Sequence, residues 1–259
     1  SDQGLAAQAE TTNTLVFEPG SRYDIVFDFK GHRGQRVIMQ NIGGDEPFGG
    51  TFTTEDPDLQ IFDLTDRIMA FDVADVPDLP DPFNPNAIAF GPEVGEPTAP
   101  ARRVGLFEGR DEYGRLQPLL GTVADDLSSA EAYTWFLPTT ETPEDGTTEM
   151  WEIYNFTEDA HPIHLHLVNF EILGRNDIEF EADEDNPQQV PQHNGTYGTV
   201  AAISNITEGA DVALNAADGY AEKAPKDMVT ALPDQVTRIK AHFDKPGRYV
   251  WHCHILSHE

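Results

Sequence analysis

The sequence predicts an all-β protein, and three observations lead to that prediction. Its 259 residues include 21 glycines and 19 prolines, which interrupt helices and favour turns. The apolar runs are short. Several of them alternate between apolar and polar positions, as half-buried strands do. The length is sufficient for one large domain or about one and a half ordinary ones.

The first part of the chain, residues 1–73, reads as the end of a β-sandwich whose beginning is missing. Strands are predicted at Leu15–Phe17 and in the runs YDIVFDF and RVIMQ, with turns at EPGS and GHRG. A closing strand is expected within residues 59–73. Residues 74–101 are rich in proline and glycine, which predicts a linker.

A second β-rich unit is predicted for residues 102–259. RRVGLFEG and DEYGRLQPLL indicate a hairpin around Tyr113 and Gly114, while TTEMWEIYNF and HPIHLHLVNFEILGR each indicate a strand. Residues 176–227 are polar and acidic, and we expect them to form a long irregular excursion. DQVTRIKAHFDKPGRYVWHCHI predicts two final strands across a DKPG turn.

The charge balance excludes several classes of partner. Aspartate and glutamate number 46 against 16 lysines and arginines, a formal net charge of −30. So acidic a surface repels nucleic acid and anionic membranes, and no apolar run approaches the roughly 20 residues that span a bilayer. The balance is typical of proteins kept soluble in high salt, with an ordinary acidic secreted protein as the alternative. We expect a halophilic or marine source and a secreted or cell-surface location.

Seven potential metal ligands fall in two short segments, HPIHLHL and HCHILSH. They are His161, His164, His166, His252, Cys253, His254 and His258. Cys253 is the only cysteine, so an internal disulfide is excluded. A single H-x-H pair is usually a surface or core feature. Two such pairs, one of them enclosing a cysteine, point instead to a metal.

Strand geometry sorts these ligands onto two faces, because side chains alternate with a period of two. If the two strands are neighbours, they form two sites on opposite sides of one sheet. One site contains Cys253 and His161, with His258 reaching back from the turn after the strand. The other contains the remaining four histidines: His164, His166, His252 and His254.

The two ligand sets favour different copper chemistry. One cysteine with two histidines is the trigonal set of type 1 copper, usually completed by a weak axial methionine. An all-imidazole set suits copper that binds small oxygen species. Zinc also binds cysteine and histidine, but a soft thiolate suits copper that cycles between two oxidation states. The backbone joins Cys253 to His252 and His254, which links a one-electron acceptor to a multi-electron centre.

These motifs resemble the C-terminal copper motifs of the multicopper oxidases. EPGSRYDIVFDF, DEYGR, TTEMWEIYN and GRYVWHCHILSHE resemble the bacterial spore-coat laccase branch and its bilirubin-oxidase-like relatives. The resemblance covers nearly the whole chain and is least clear over residues 176–227. It implies cupredoxin-like Greek-key β-sandwiches. Residues 1–73 would end the second of three domains, 74–101 would be a linker, and 102–259 would be the third domain.

The resemblance also implies a role for each ligand. Type 1 copper would be bound by His161, Cys253 and His258, type 2 copper by His164, and the type 3 pair by His166, His252 and His254. Glu259 matches a carboxylate that is thought to help deliver protons while O2 is reduced. A carboxylate near a copper cluster is able to relay protons.

Parts of the family's copper machinery are expected to lie outside this chain. The family's trinuclear centre uses eight histidines, and four come from two H-x-H motifs in the first domain, which are absent here. The axial methionine would lie five residues after His258, beyond the chain end. We therefore expect a complementary N-terminal polypeptide or region, separated by cleavage, by gene truncation or because the sequence is a fragment.

The expected function is that of the C-terminal half of a laccase-like oxidase. Phenols or similar small aromatic donors would lose single electrons at type 1 copper, and O2 would be reduced to water at the trinuclear site. A non-catalytic copper-binding or electron-transfer module, a bilirubin oxidase and a metal-ion oxidase remain alternatives. Only four methionines are present, which argues against a cuprous oxidase. A copper nitrite reductase fits the joined histidine motifs less well.

Overall fold

The computed structural model describes residues 2–6, 8–43, 47–50, 67–77, 80–84, 87 and 94–258. Within them the chain is all-β, as predicted, with a short 3-10 turn at Ala216–Asp218. The strands are β1 (Arg36–Gln40), β2 (Arg67–Asp72), β3 (Arg102–Arg110), β4 (Leu116–Val123), β5 (Ser129–Tyr133), β6 (Thr147–Asn155), β7 (His161–Leu165), β8 (Phe170–Pro191), β9 (Tyr197–Val212), β10 (Met228–Ala231), β11 (Gln235–Phe243) and β12 (Trp251–Cys253).

Seven strands close into a barrel in the order β11–β6–β3–β4–β5–β9–β8, with β8 pairing back onto β11. The barrel pairs are antiparallel, apart from the parallel pair of β3 with β6. The predicted hairpin around Tyr113 and Gly114 is confirmed, since β3 and β4 pair up to Arg110 opposite Leu116. The strand predicted from TTEMWEIYNF is confirmed as β6.

A separate three-stranded sheet, in the order β10–β7–β12, carries most of the predicted ligands. Ile163, Leu165 and Cys253 on one of its faces join a buried cluster with Trp151 and Ile239 of the barrel. Burial of apolar surface contributes about 25 cal/mol per Å². This packing therefore holds one face of the sheet against the barrel and turns the other face away from it.

The chain before β1 departs from the prediction. Neither Leu15–Phe17 nor the run YDIVFDF forms a strand, although Val16 is buried and its N–H donates to the carbonyl of Gly219 at 2.8 Å. A strand exists only where a neighbouring segment completes its hydrogen bonds, and a pattern of alternating residues does not specify that neighbour. The predicted strand RVIMQ is confirmed as β1, which pairs with β2.

A closing strand was expected within residues 59–73, and β2 lies in this range. The earlier residues of the range belong to 51–66, which lie outside the described part of the chain. No strand is assigned in the described part of the expected linker, which comprises residues 74–77, 80–84, 87 and 94–101. The division into two domains stays a prediction. Among the described residues, no helix is long and apolar enough to cross a bilayer.

The prediction that residues 176–227 form an irregular excursion was wrong for most of these residues. β8 and β9 form a long antiparallel hairpin that runs from Arg175 opposite Val212 to Pro191 opposite Tyr197, with register shifts along it. Ile178, Val190, Val200 and Ile203 of the hairpin are buried, but residues 181–186 of β8 and 207–211 of β9 are exposed at every position. Polar residues therefore occupy both parities, and the alternating signal of a half-buried strand is lost.

Two further predictions needed correction in detail. HPIHLHLVNFEILGR forms β7 and the start of β8 rather than one strand, because the chain turns at Leu167, whose φ is 74°. The two final strands are confirmed as β11 and β12, but residues 244–250 separate them and they pair with different neighbours.

Candidate metal centre

The two ligand-bearing segments are adjacent, which confirms the expectation that their strands are neighbours. β12 runs antiparallel to β7, with His252 opposite His164 and Cys253 opposite Ile163. Paired residues project from the same face of a sheet. Cys253 therefore points into the core with Ile163, while His252 and His164 point to the other side.

On the core side, a sulfur atom and two ring nitrogens converge. Cys253 Sγ lies 3.4 Å from His161 Nδ1, and His258 Nδ1 lies 3.0 Å from the same nitrogen. His258 returns to the sheet because its N–H closes a tight turn onto the carbonyl of Ile255 at 2.7 Å. The N–H of Ile255 also donates to Cys253 Sγ at 3.3 Å. The expected group of His161, Cys253 and His258 is thus assembled in space.

Burial keeps both histidines of this group neutral. Burial lowers the pKa of His161 to about 3, and the nearby His258 adds to the shift. Burial also lowers the pKa of His258 to about 4. Neutral imidazole is the form that binds metal, so these two side chains are in the protonation state that a metal needs at pH 7.

On the opposite side, His164, His166 and His252 place ring nitrogens within 4.8 Å of one another. The Nε2 atoms of His166 and His252 are 3.0 Å apart. His254 completes the group, since its ring centre lies 4.7 Å from that of His252 and 5.6 Å from that of His164. The four-histidine face expected from the strand period is therefore present.

Two backbone carbonyls orient the rings of this face. His164 Nδ1 lies 2.7 Å from the carbonyl oxygen of Asp227, and His252 Nδ1 lies 3.1 Å from that of Cys253. A carbonyl only accepts hydrogen bonds, so each Nδ1 carries the proton and each Nε2 presents a lone pair to the group. Burial lowers the pKa of His164, while its bond to Asp227 acts in the opposite direction.

Asp227 is a supporting residue that sequence reasoning missed, because it lay in the supposed irregular excursion. Its buried carboxylate accepts two hydrogen bonds from the Arg22 guanidinium, at 2.8 and 2.7 Å. Burial raises the pKa of Asp227, but the bonds from Arg22 and Gln3 outweigh burial and hold the pKa below its usual range. The residue thus connects the N-terminal segment to His164.

Gly20 also lies against the histidine face. Its φ of +85° suits glycine, and a Cβ built there would lie 3.1 Å from both Cδ2 and Nε2 of His254. The same Cβ would lie 3.1 Å from the sulfur of Met228. The glycine of the EPGS turn therefore leaves room for the His254 ring.

The donor atoms fit copper. A buried thiol with two neutral imidazoles is the trigonal set that copper uses for one-electron transfer, and the facing Nε2 atoms of the other side suit copper as well. The remaining predicted site residue, Glu259, lies outside the described residues.

Known proteins carry the same sequence features. The family described as multicopper oxidase matches residues 125–259. Laccase from Bacillus subtilis (strain 168) is 33% identical over 262 residues, an alignment that covers 100% of this chain and 43% of the laccase. Bilirubin oxidase from Albifimbria verrucaria is 28% identical over 265 residues, covering 100% of this chain and 36% of that protein. The chain spans less than half the length of these two relatives.

Solved structures are similar at low sequence identity. A multicopper oxidase from Campylobacter jejuni, described as a metallo-oxidase, gives a TM-score of 0.47 at 14% identity and covers 87% of this chain and 38% of its own. A laccase from Pediococcus acidilactici gives 0.46 at 20% identity, covering 87% and 34%. The predicted fold class, all-β and cupredoxin-like, is confirmed by the strand content together with the family match.

Proposed function

The chain belongs to the multicopper oxidase family, and from that premise we propose that it is part of a laccase-like enzyme. The enzyme would oxidise phenolic or similar aromatic donors by single electrons and reduce O2 to water. One observation carries the proposal. Cys253 belongs to the buried cysteine–histidine group on one side of the sheet, while its chain neighbours His252 and His254 belong to the group of four histidines on the other side.

We assign the ligands as the family resemblance implies. His161, Cys253 and His258 would hold type 1 copper, His164 type 2 copper, and His166, His252 and His254 their share of the type 3 pair. When bound, copper at the first group accepts single electrons and copper at the second passes four of them to O2, which with four protons yields two waters. We propose that Glu259 helps to deliver those protons.

The protein's contribution at the first group is to exclude water and hold the donor atoms together. His161 and Cys253 are fully buried, and His258 is 8% exposed. Leu256, two residues before His258, is 89% exposed. This contrast supports entry of the donor's electron at the His258 edge, where an aromatic molecule is able to pack against an exposed apolar side chain.

The backbone of β12 joins the two groups. Cys253 is bonded directly to His252 and His254, so the shortest covalent connection between the two faces is a few bonds long. This arrangement suits a reaction in which electrons arrive singly on one side and are used in fours on the other.

We propose that two further H-x-H motifs complete the four-histidine face and come from a complementary N-terminal polypeptide or region. His166 is exposed and the Nε2 atoms of this face converge. Both features suit a surface that another part of the enzyme covers.

The net charge of −30 supports the further proposal of a secreted or cell-surface enzyme in a saline environment.

The test is to load the protein with copper, alone and together with the complementary region. We expect the intense visible absorption of a thiolate–copper bond in both samples and its loss in Cys253→Ser. We expect O2 uptake with a phenolic donor only when the complementary region is present. Trials with bilirubin, Fe(II) and Cu(I) in the same assay distinguish a bilirubin oxidase or a metal-ion oxidase. A copper-loaded complex that consumes no O2 with any donor would refute the oxidase.

A copper electron-transfer module is the second candidate. The observation in its favour is that the cysteine–histidine group has its three ligands within this chain, whereas the histidine face has four of the family's eight. This candidate predicts a stable, coloured chain that is reduced and reoxidised by partner proteins and consumes no O2 in any combination.

A further inference from the structure

A buried hydrogen-bond relay runs from β6 and its following turn to His161. It begins at Asn155, which is fully buried. Asn155 Nδ2 donates to the carbonyl of Asp159 at 2.7 Å and to that of Ala231 at 3.0 Å. Both amide protons are therefore used, and the orientation of the amide is settled: Oδ1 must face Thr157.

The next member of the relay is Thr157. Asn155 Oδ1 accepts the backbone N–H of Thr157 at 3.0 Å and lies 2.8 Å from its hydroxyl oxygen. The carbonyl of Asp159 lies 3.1 Å from the same hydroxyl. Both neighbouring oxygens only accept hydrogen bonds, so the single hydroxyl proton of Thr157 is directed toward one of them.

The last member is His161, whose Nε2 lies 2.8 Å from Thr157 Oγ1. With its own proton already donated, the hydroxyl is left to accept, and His161 Nε2 must carry a proton. If the Thr157 hydroxyl instead donated its proton to His161 Nε2, no proton would lie between Thr157 Oγ1 and the two neighbouring acceptor oxygens. Such unpaired contacts between oxygens are costly in the core.

We propose that Thr157 is a positioning residue for the cysteine–histidine group. It selects the His161 tautomer protonated at Nε2, which leaves the Nδ1 lone pair free toward Cys253 Sγ and His258 Nδ1. The proposal rests on the proposed copper-binding function of this group. The tripeptide Asn155–Phe156–Thr157 has the N-x-T form of a glycosylation acceptor. Its asparagine is buried and hydrogen-bonded, and we propose that the tripeptide supports His161 instead.

The free energy at stake is that of choosing one of two neutral tautomers and holding one ring angle. Supporting residues that donate to or accept from metal-binding histidines typically change metal affinity by about 10- to 100-fold when they are removed. Thr157→Val keeps the shape of the side chain and removes the hydroxyl that accepts the hydrogen bond from His161 Nε2. Thr157→Ser keeps the hydroxyl.

The first experiment is copper titration of the purified protein, followed by the thiolate–copper absorption and the reduction potential. We expect Thr157→Val to weaken binding by about 10- to 100-fold and to shift the absorption and the potential, and we expect Thr157→Ser to restore both. Thr148→Val is the matched control, since Thr148 is also buried and its hydroxyl lies 3.0 Å from a ring nitrogen of His242, outside the copper groups. Equal affinity, absorption and potential in Thr157→Val and the wild type would overturn the proposal.

The second experiment needs no copper and no variant. Nitrogen NMR of the metal-free wild-type protein reports which ring nitrogen of His161 carries the proton. We expect Nε2, and a proton on Nδ1 would overturn the proposal even if Thr157→Val did not fold. A wild-type protein that shows the Nε2 tautomer but no thiolate–copper absorption would refute the copper function while leaving the relay intact.

Discussion

Nδ1 of His161 lies 3.0 Å from Nδ1 of His258, although the two residues are 97 positions apart in the chain. Both rings are buried, and each has a pKa far below that of a free histidine, about 3 for His161 and about 4 for His258. Two neutral imidazoles held this close form a prepared pair of ligands. The same arrangement imposes a pH dependence on the metal-free protein.

We predict that the metal-free protein loses stability as the pH falls from about 6.5 toward 4. In the unfolded chain both histidines take up protons near pH 6.5, whereas in the folded chain they do so only near pH 4 and 3. The unfolded state therefore binds more protons across this window and is favoured by acid. Urea unfolding between pH 7.5 and 5.5 should give a flatter dependence for His161→Gln than for the wild type. His32→Gln makes the same exchange in an exposed turn and is the control for the substitution itself.

We predict that Gly20→Ala is more damaging than Gly31→Ala. The two glycines have nearly equal φ values, +85° and +84°, but a Cβ at Gly31 meets nothing within 4 Å. Gly31→Ala should cost about 1–2 kcal/mol from backbone strain alone. Gly20→Ala should cost more and should also lower copper binding at the histidine face, because the new Cβ presses on His254. Urea unfolding and copper analysis measure both effects, and equal results for the two variants would contradict the prediction.

We predict that Arg22→Met lowers the free energy of unfolding by about 1–3 kcal/mol, because it leaves the buried Asp227 carboxylate without its charged donor. Arg36→Met is the matched control. Arg36 also donates two hydrogen bonds to an aspartate, Asp72, at 2.7 and 2.8 Å, but both side chains are largely exposed. Exposed pairs contribute little, so this variant should unfold like the wild type. A similar loss in both variants would show that burial of Asp227 is irrelevant.

We predict that salt stabilises the protein. The net charge of −30 makes the folded chain repel itself, and raising the salt from 0.1 to 1 M shortens the screening length from about 10 to 3 Å. The free energy of unfolding should rise with NaCl and should rise equally with KCl, since screening depends on ionic strength. A free energy that falls or stays constant in both salts would rule out self-repulsion as a significant term.

The sequence by itself determined the all-β class, the barrel hairpin of β3 and β4, and the sorting of seven ligands onto two faces. These features follow from local rules: the period of two along a strand, turn residues at fixed positions, and the spacing of histidines around one cysteine. The strand period sorts the ligands of each segment by face, but the union of the two segments into two sites was conditional on their strands being neighbours.

Only the tertiary structure decided the rest, because it depends on partners far apart in the chain. Pairing of β7 with β12 turned a conditional argument about two faces into an observed arrangement. The β8–β9 hairpin was hidden from the sequence because residues 181–186 and 207–211 are exposed at every position, which removes the alternating pattern there. The contacts of Thr157 with His161, of Asp227 with Arg22 and of Gly20 with His254 have no signature in a local pattern, since each depends on side chains that meet only after the sheets have packed.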